Sequence, residues 1–196
     1  QRQMCIRDRK YTALPAEIKT NVVVVGGGGS GLASAIAAQQ AGAKVIVLEK
    51  LGILGGSTNV SEGALNAADP QRQGKQGIED SIQKHYEQTM KGGHNIGNPE
   101  LVHYLTDHAL ESVHWLESIG VKFKDEVGTA TGALWQRSHY PATPSGNTYI
   151  RSFEKYIAAH GNDMKVYTDM DAVSLIQDKA GRVIGVVAVS YTHLTL

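Results

Sequence analysis

The chain has 196 residues, 41% of them hydrophobic, with a formal net charge of zero and a single cysteine, Cys5. That length suits one globular domain or part of a larger protein, and the balanced charge leaves no basic footprint for nucleic acid and no charged tail. A lone thiol excludes a disulfide framework or a CxxC pair, and no apolar run approaches the roughly 20 residues that span a bilayer, so the body of the chain reads as soluble.

The ends differ from the middle. QRQMCIRDR (residues 1 to 9) and SYTHLTL (residues 190 to 196) continue no pattern set by their neighbours and resemble translated sequencing-adapter sequence. They are read as non-native termini, which leaves residues 10 to 189 as one domain and predicts that the natural protein extends past both limits.

Val22 to Val25 is an unbroken β-branched run, as expected of a parallel strand covered on both faces. Glycines follow at once. Ser30 to Gln40 is rich in alanine and reads as a helix that Gly42 ends, and Val45 to Leu48 is a second buried strand. Together they make a βαβ unit whose right-handed crossover sets the two strands parallel and adjacent.

LGILGGSTNVSEGALNAADP, residues 51 to 70, is too long for a simple turn and reads as a loop that shapes a ligand site. Residues 78 to 90 look helical, with Ile78, Ile82, Tyr86 and Met90 on one stripe. A clearer helix follows: Asn98 caps it, Pro99 takes the first helical position, Gly120 stops it, and Leu105, Ala109, Val113 and Leu116 form its buried face. Residues 128 to 149 are irregular, and Thr148 to His160 is helical. KVYTDMDAVSLIQ and RVIGVVAV are β-rich runs that flank DKAG, a hairpin signal.

Gly26-x-Gly28-x-x-Gly31 stands between the first strand and its helix, with the acid Glu49 at the end of the next strand. Gly26 serves a tight turn, Gly28 lets a pyrophosphate approach the backbone, and Gly31 allows close helix-to-strand packing. The phosphates would then meet the helix N-terminus, where free N–H groups and the dipole favour anions. Glu49 can accept hydrogen bonds from an adenosine ribose and would repel a 2′-phosphate. The fingerprint alone does not separate FAD from NAD, and a nicotinamide-binding Rossmann dehydrogenase remains the rival reading.

The second glycine loop bears on that choice. GGSTNVSEGALNAA, residues 55 to 68, resembles the cofactor loop of the fumarate-reductase-type flavoprotein family, the soluble reductases and their succinate-dehydrogenase relatives. TMKGGHNIGNPELV, WLESIGVKF and RSHYP extend the resemblance over about residues 20 to 189. It implies an α/β, Rossmann-like FAD-binding domain with a parallel sheet and a β-hairpin, incomplete because the capping domain is absent. In that reading Gly26, Gly28, Gly31 and Glu49 hold the adenosine diphosphate half. Lys50, Gly56, Ser57, Thr58 and Asn59 continue along the diphosphate, Gly63, Ala64 and Asn66 approach the flavin end, and the backbone of Ala172 meets adenine.

Ser57 stands where membrane-bound relatives carry a histidine for covalent attachment, so the implied FAD is noncovalent. Ala64, preceded by Glu62, replaces a second glycine of the relatives; Glu62 itself reads as a solvated loop residue. The implied reaction is hydride transfer from FADH2 to the C=C bond of a small unsaturated carboxylate, with electrons from an unidentified donor. The arginines and histidines of such chemistry lie in family segments beyond residue 196, so no catalytic residue is named, and the chain by itself reads as an inactive fragment. The compartment stays open between cytoplasm and periplasm.

The histidines supply no metal pattern. His103, His108 and His114 share one helix at spacings of five and six, not the i, i+4 of a zinc pair, His94 and His160 have no obvious partner acid, and His193 lies in the supposed foreign tail. His139 in RSHYP is the best candidate to touch flavin or substrate, while Trp115 and Trp135 read as packing residues.

Overall fold

In a computed structural model of the chain, residues 17–143 and 145–190 are described. Cys5, His193 and the two supposed foreign ends, Ser190 excepted, lie outside the described residues.

The βαβ unit forms as the pattern requires. Strand β1 (Val22–Val25) leads through the glycines into helix α1 (Gly29–Gln40) and then strand β2 (Val45–Leu48). β1 and β2 pair in parallel, Val22 opposite Val45 and Val25 opposite Leu48. β2 is buried along its whole length, but β1 alternates: Val22 and Val24 pack on the core, whereas Val25 is 58% exposed. The expectation of two covered faces therefore fails for β1. It is an edge strand here, and one of its faces meets no cover among the described residues.

The loop read over residues 51 to 70 contains more order than expected. A one-turn helix α2 (Gly56–Asn59) and a short strand β3 (Leu65–Asn66) break it. Helix α3 (Pro70–Lys75) then starts at Asp69, whose carboxylate accepts from the N–H groups of Gln71 and Arg72.

Helix α4 (Ile82–Gly92) begins four residues later than predicted, because the Ser81 hydroxyl accepts from Lys84 N–H and fixes the start there. Its buried residue is His85, while Ile82 of the expected stripe is exposed. Helix α5 (Pro99–Ser118) has the expected caps: Asn98 Oδ1 accepts from Glu100 N–H, and Gly120 takes φ +98°. Leu105, expected in its core, is 58% exposed, and Thr106 is buried instead. Thr106 can take that place because its hydroxyl donates within the helix, to the carbonyls of Val102 and His103.

The irregular stretch 128 to 149 contains strand β4 (Ser138–His139), which pairs antiparallel with β3, Leu65 opposite His139. Helix α6 (Asn147–Ala159) then packs on α1. The run 165–177, taken as one strand, is two. Strand β5 (Met164–Tyr167) joins β2 in parallel, so the sheet order is β1-β2-β5. The chain turns at Asp169 (φ +56°), and strand β6 (Met170–Gln177) pairs with strand β7 (Val183–Ser190) as the expected hairpin. Leu32, Ile36, Val47, Ile150, Phe153 and Met164 form the centre of the core between α1, α6 and the sheet. Among the described residues no helix is long and apolar enough to cross a membrane.

Candidate functional site

The site begins where β1 ends. Gly26 adopts φ +102°, a turn that a side chain would strain, and its N–H donates to Leu48 O at 2.8 Å. A Cβ on Gly31 would stand 2.0 Å from Gly26 O, so α1 sits close on the strand end only because Gly31 has no side chain. Gly28 is the N-cap of α1, and no side chain caps the helix or places an acid in its first turn. Added Cβ atoms at Gly26 and Gly28 would meet nothing within 4 Å. The uncapped, positively polarised end of α1 thus borders open space across bare backbone, which fits an anionic diphosphate.

Glu49 closes one side of this cradle. It is buried, with Oε2 accepting from Gly27 N–H at 2.6 Å and Oε1 from Leu51 N–H at 2.8 Å. Each carboxylate oxygen keeps a second lone pair, so these bonds orient the acid without exhausting it.

The second glycine loop docks on the first. Gly55 N–H donates to Gly27 O at 2.8 Å, Gly28 and Gly55 form a parallel bridge, and α2 starts beside them with Gly56. Thr58 packs against Gly29, where a Cβ would lie 2.5 Å from its hydroxyl. Asn59 Oδ1 accepts from Asn147 Nδ2, which ties α2 to α6, and Ser57 lies in the same turn.

Gly63 O accepts from the buried Tyr149 hydroxyl at 2.6 Å; burial pushes the pKa of that phenol well above its usual value. Gly63 and Ala64 line a cleft of about 810 Å³ with Gly29, Ser30 and Thr58 on one side and Trp115 on another. Gly26, Gly28 and Glu49 lie outside this cleft, so the cleft and the glycine cradle are neighbours and not one cavity.

Three residues stand apart. Lys50 pairs with Asp171 at 3.2 Å, next to half-buried Ala172 on β6. Asn66 accepts from the Ser138 hydroxyl at 2.6 Å and lines a separate, smaller pocket. His139, the favoured histidine, is fully buried, with Nε2 3.1 Å from Asp69 Oδ2, Nδ1 3.2 Å from Arg137 O and its ring against Phe123. It supports the loop from behind and does not face the cradle's open side. Glu62 accepts from the Tyr140 hydroxyl at the surface. Of the α5 histidines, His103 stacks on Tyr86 and His108 pairs with Glu111. Among the described residues no three His, Cys, Asp or Glu side chains are grouped to hold a metal ion.

Behind the loop lie three ion pairs that sequence reading missed. Asp69 binds Arg72, which also binds Glu117 of α5. Burial pushes the Asp69 acid up, but the Arg72 backbone N–H, His139 and the Arg72 guanidinium outweigh it and hold it at about 2. Arg137 grips Asp80 through Nε at 2.8 Å and Nη2 at 2.7 Å. Asp69 before Pro70 is a local cap signal; its partner His139, 70 residues away, and the partner of Arg72, Glu117, 45 residues away, leave no such signal.

Residues 21–193 match the family described as "FAD binding domain". The fumarate reductase (cytochrome) of Shewanella frigidimarina is 43% identical over 126 residues, 64% of this chain and 22% of that protein. The urocanate reductase of Eggerthella lenta is 36% identical over 185 residues, 93% of this chain and 30% of that protein. A solved open conformation of a flavocytochrome c3 fumarate reductase superposes with a TM-score of 0.79 at 33% identity, over 86% of this chain and 30% of that one. The chain thus spans less than a third of the length of each of these relatives.

Proposed function

The chain belongs to the FAD-binding-domain family, and from that membership we propose that it is the cofactor-holding part of a flavoenzyme reducing the C=C bond of a small unsaturated carboxylate. FAD is the cofactor of the family, and the curated relatives are oxidoreductases named for fumarate and urocanate. The observation that carries the reading is the open space over Gly28 at the uncapped start of α1, flanked by a carboxylate that two backbone N–H groups hold in place.

In this reading Gly26, Gly28 and Gly31 let the FAD diphosphate reach the N–H groups of α1, and Glu49 accepts from the ribose. Lys50, Gly56, Ser57, Thr58 and Asn59 extend the polar wall along the diphosphate, and Ala172 lies toward the adenosine. Gly63, Ala64 and Asn66 lie toward the flavin. No histidine stands at Ser57 to form a covalent link, so FAD is held noncovalently. When bound and reduced, FAD supplies the hydride that adds to one alkene carbon while a proton adds to the other. This chain's residues bind and orient the cofactor, and none of them is assigned the proton delivery or the clamp on the carboxylate.

The binding claim is tested by titrating the chain with FAD and following flavin fluorescence, then recording the visible spectrum after gel filtration. A saturable, yellow 1:1 complex is expected. A colourless protein that takes up NAD but not FAD would overturn the reading. For the reaction, the full-length parent protein should oxidise a reduced viologen dye only when an unsaturated carboxylate is present.

A further inference from the structure

The start of α6 holds the second glycine loop through three hydrogen bonds. Asn147 Nδ2 donates to Asn59 Oδ1, Gly146 N–H donates to Ser61 O at 2.9 Å, and the Tyr149 hydroxyl donates to Gly63 O at 2.6 Å. The partners of the last bond are 86 residues apart in sequence, yet the two backbones touch. Contact is possible because each side presents a glycine. A Cβ on Gly63 would stand 2.7 Å from Ser145 C, and one on Gly146 would stand 1.9 Å from Thr58 O.

The Tyr149 bond differs from the other two, because only there do donor and acceptor residues both line the cleft beside the glycine cradle. Tyr149 is buried, its ring centroid lies 6.1 Å from that of Phe123, and burial keeps the phenol protonated, so it is a standing donor. Gly63 O accepts from no other group among the described residues. Gly63 sits at φ +82°, and a glycine leaves the following peptide several orientations, so a side chain is needed to select one. A trans peptide sets its C=O and its N–H on opposite sides. Fixing Gly63 O toward α6 therefore turns Ala64 N–H the other way. That N–H donates to nothing among the described residues, and Ala64 is half-buried in the cleft wall.

We propose that Tyr149 is a positioning residue for the flavin end of the cofactor: its hydroxyl selects the orientation of the Gly63–Ala64 peptide that leaves Ala64 N–H as a donor to the isoalloxazine ring. The inference rests on the flavin reading above and adds to it a residue of α6, outside both glycine loops. Without the hydroxyl the buried Gly63 O loses its donor and the peptide is free to turn. The Asn147 and Gly146 bonds still hold α2 and the diphosphate end, so the defect is confined to the flavin half of the site.

Tyr149→Phe removes the hydroxyl and keeps the ring. The unsubstituted chain and the variant are each titrated with FAD and with ADP, which has the adenosine and diphosphate but no flavin, and the visible spectrum of bound FAD is recorded. FAD should bind the variant about fivefold more weakly, ADP should bind within about twofold of the unsubstituted chain, and the long-wavelength flavin band should shift. Equal weakening of FAD and ADP, unchanged FAD affinity, or a band that stays in place would overturn the proposal and leave Tyr149 a support of the fold alone. An unsubstituted chain that takes up no FAD would overturn the flavin reading, and this inference with it. If the variant does not fold, the amide nitrogen resonance of Ala64 in the unsubstituted chain decides: it should move with FAD and stay with ADP, and a resonance that FAD leaves in place overturns the proposal.

Discussion

Glu49 and Gly27, 22 residues apart in sequence, are joined by a 2.6 Å hydrogen bond from the glycine N–H to Oε2, while Oε1 accepts from Leu51 N–H. Both acid oxygens are needed as acceptors. Glu49→Gln converts one into a donor, which then confronts a backbone N–H. We expect a stability loss of about 1–3 kcal/mol and an FAD affinity reduced roughly tenfold or more, read by thermal melting and flavin titration. An unchanged affinity would remove Glu49 from the cofactor site.

Gly28 and Gly31 serve different ends, and alanine separates them. At Gly28 the backbone (φ −74°, ψ 177°) suits any residue and an added methyl group meets nothing, so Gly28→Ala should melt within about 1 kcal/mol of the parent yet bind FAD poorly. At Gly31 the methyl group would lie 2.0 Å from Gly26 O, so Gly31→Ala should destabilise the fold by about 1–3 kcal/mol. A Gly28→Ala chain that binds FAD normally would show that no phosphate approaches there.

The Arg137–Asp80 pair is almost wholly buried, and Asp80 also accepts from Gln73. Burial alone would raise the Asp80 acid, yet the bonds from Arg137 and Gln73 hold it below its ordinary value. Asp80→Ala strands a buried guanidinium and should cost about 3–5 kcal/mol in chemical denaturation. A loss under 1 kcal/mol would mean that water reaches Arg137 freely.

Among the groups that set the acid limb of stability, His85 acts in a higher window than the carboxylates Asp69 and Asp80. His85 falls from an ordinary 6.5 to about 4 in the fold, so its contribution is complete above pH 6.5 and is lost as pH falls from 6.5 toward 4, roughly 3 kcal/mol in all. Asp69 falls from 3.8 to about 2, so its contribution is present above pH 4 and is lost as pH falls toward 2, roughly 2 kcal/mol. Melting temperature should therefore decline in two steps. His85→Phe should flatten the upper step and leave the lower one.

Much of the glycine cradle's backbone was legible in the sequence. Valine runs, glycine spacing and a terminal acid are local signals, because strand, tight turn and helix start each depend on a few adjacent residues. The Asn98 cap, the Gly120 stop and the hairpin around DKAG were readable for the same reason. Tertiary contacts decided the remainder. Val25 lies bare because its face of β1 meets no cover among the described residues, Leu105 yields its place to Thr106 because that hydroxyl finds acceptors in its own helix, and the run 165–177 breaks at Asp169 so that β5 can join β2. His139 shows the limit most clearly. Its neighbours in RSHYP suggested a place near a ligand, but Asp69, 70 residues earlier, draws it inward, and such a pairing leaves no mark on local sequence because it arises only when distant segments share one buried space.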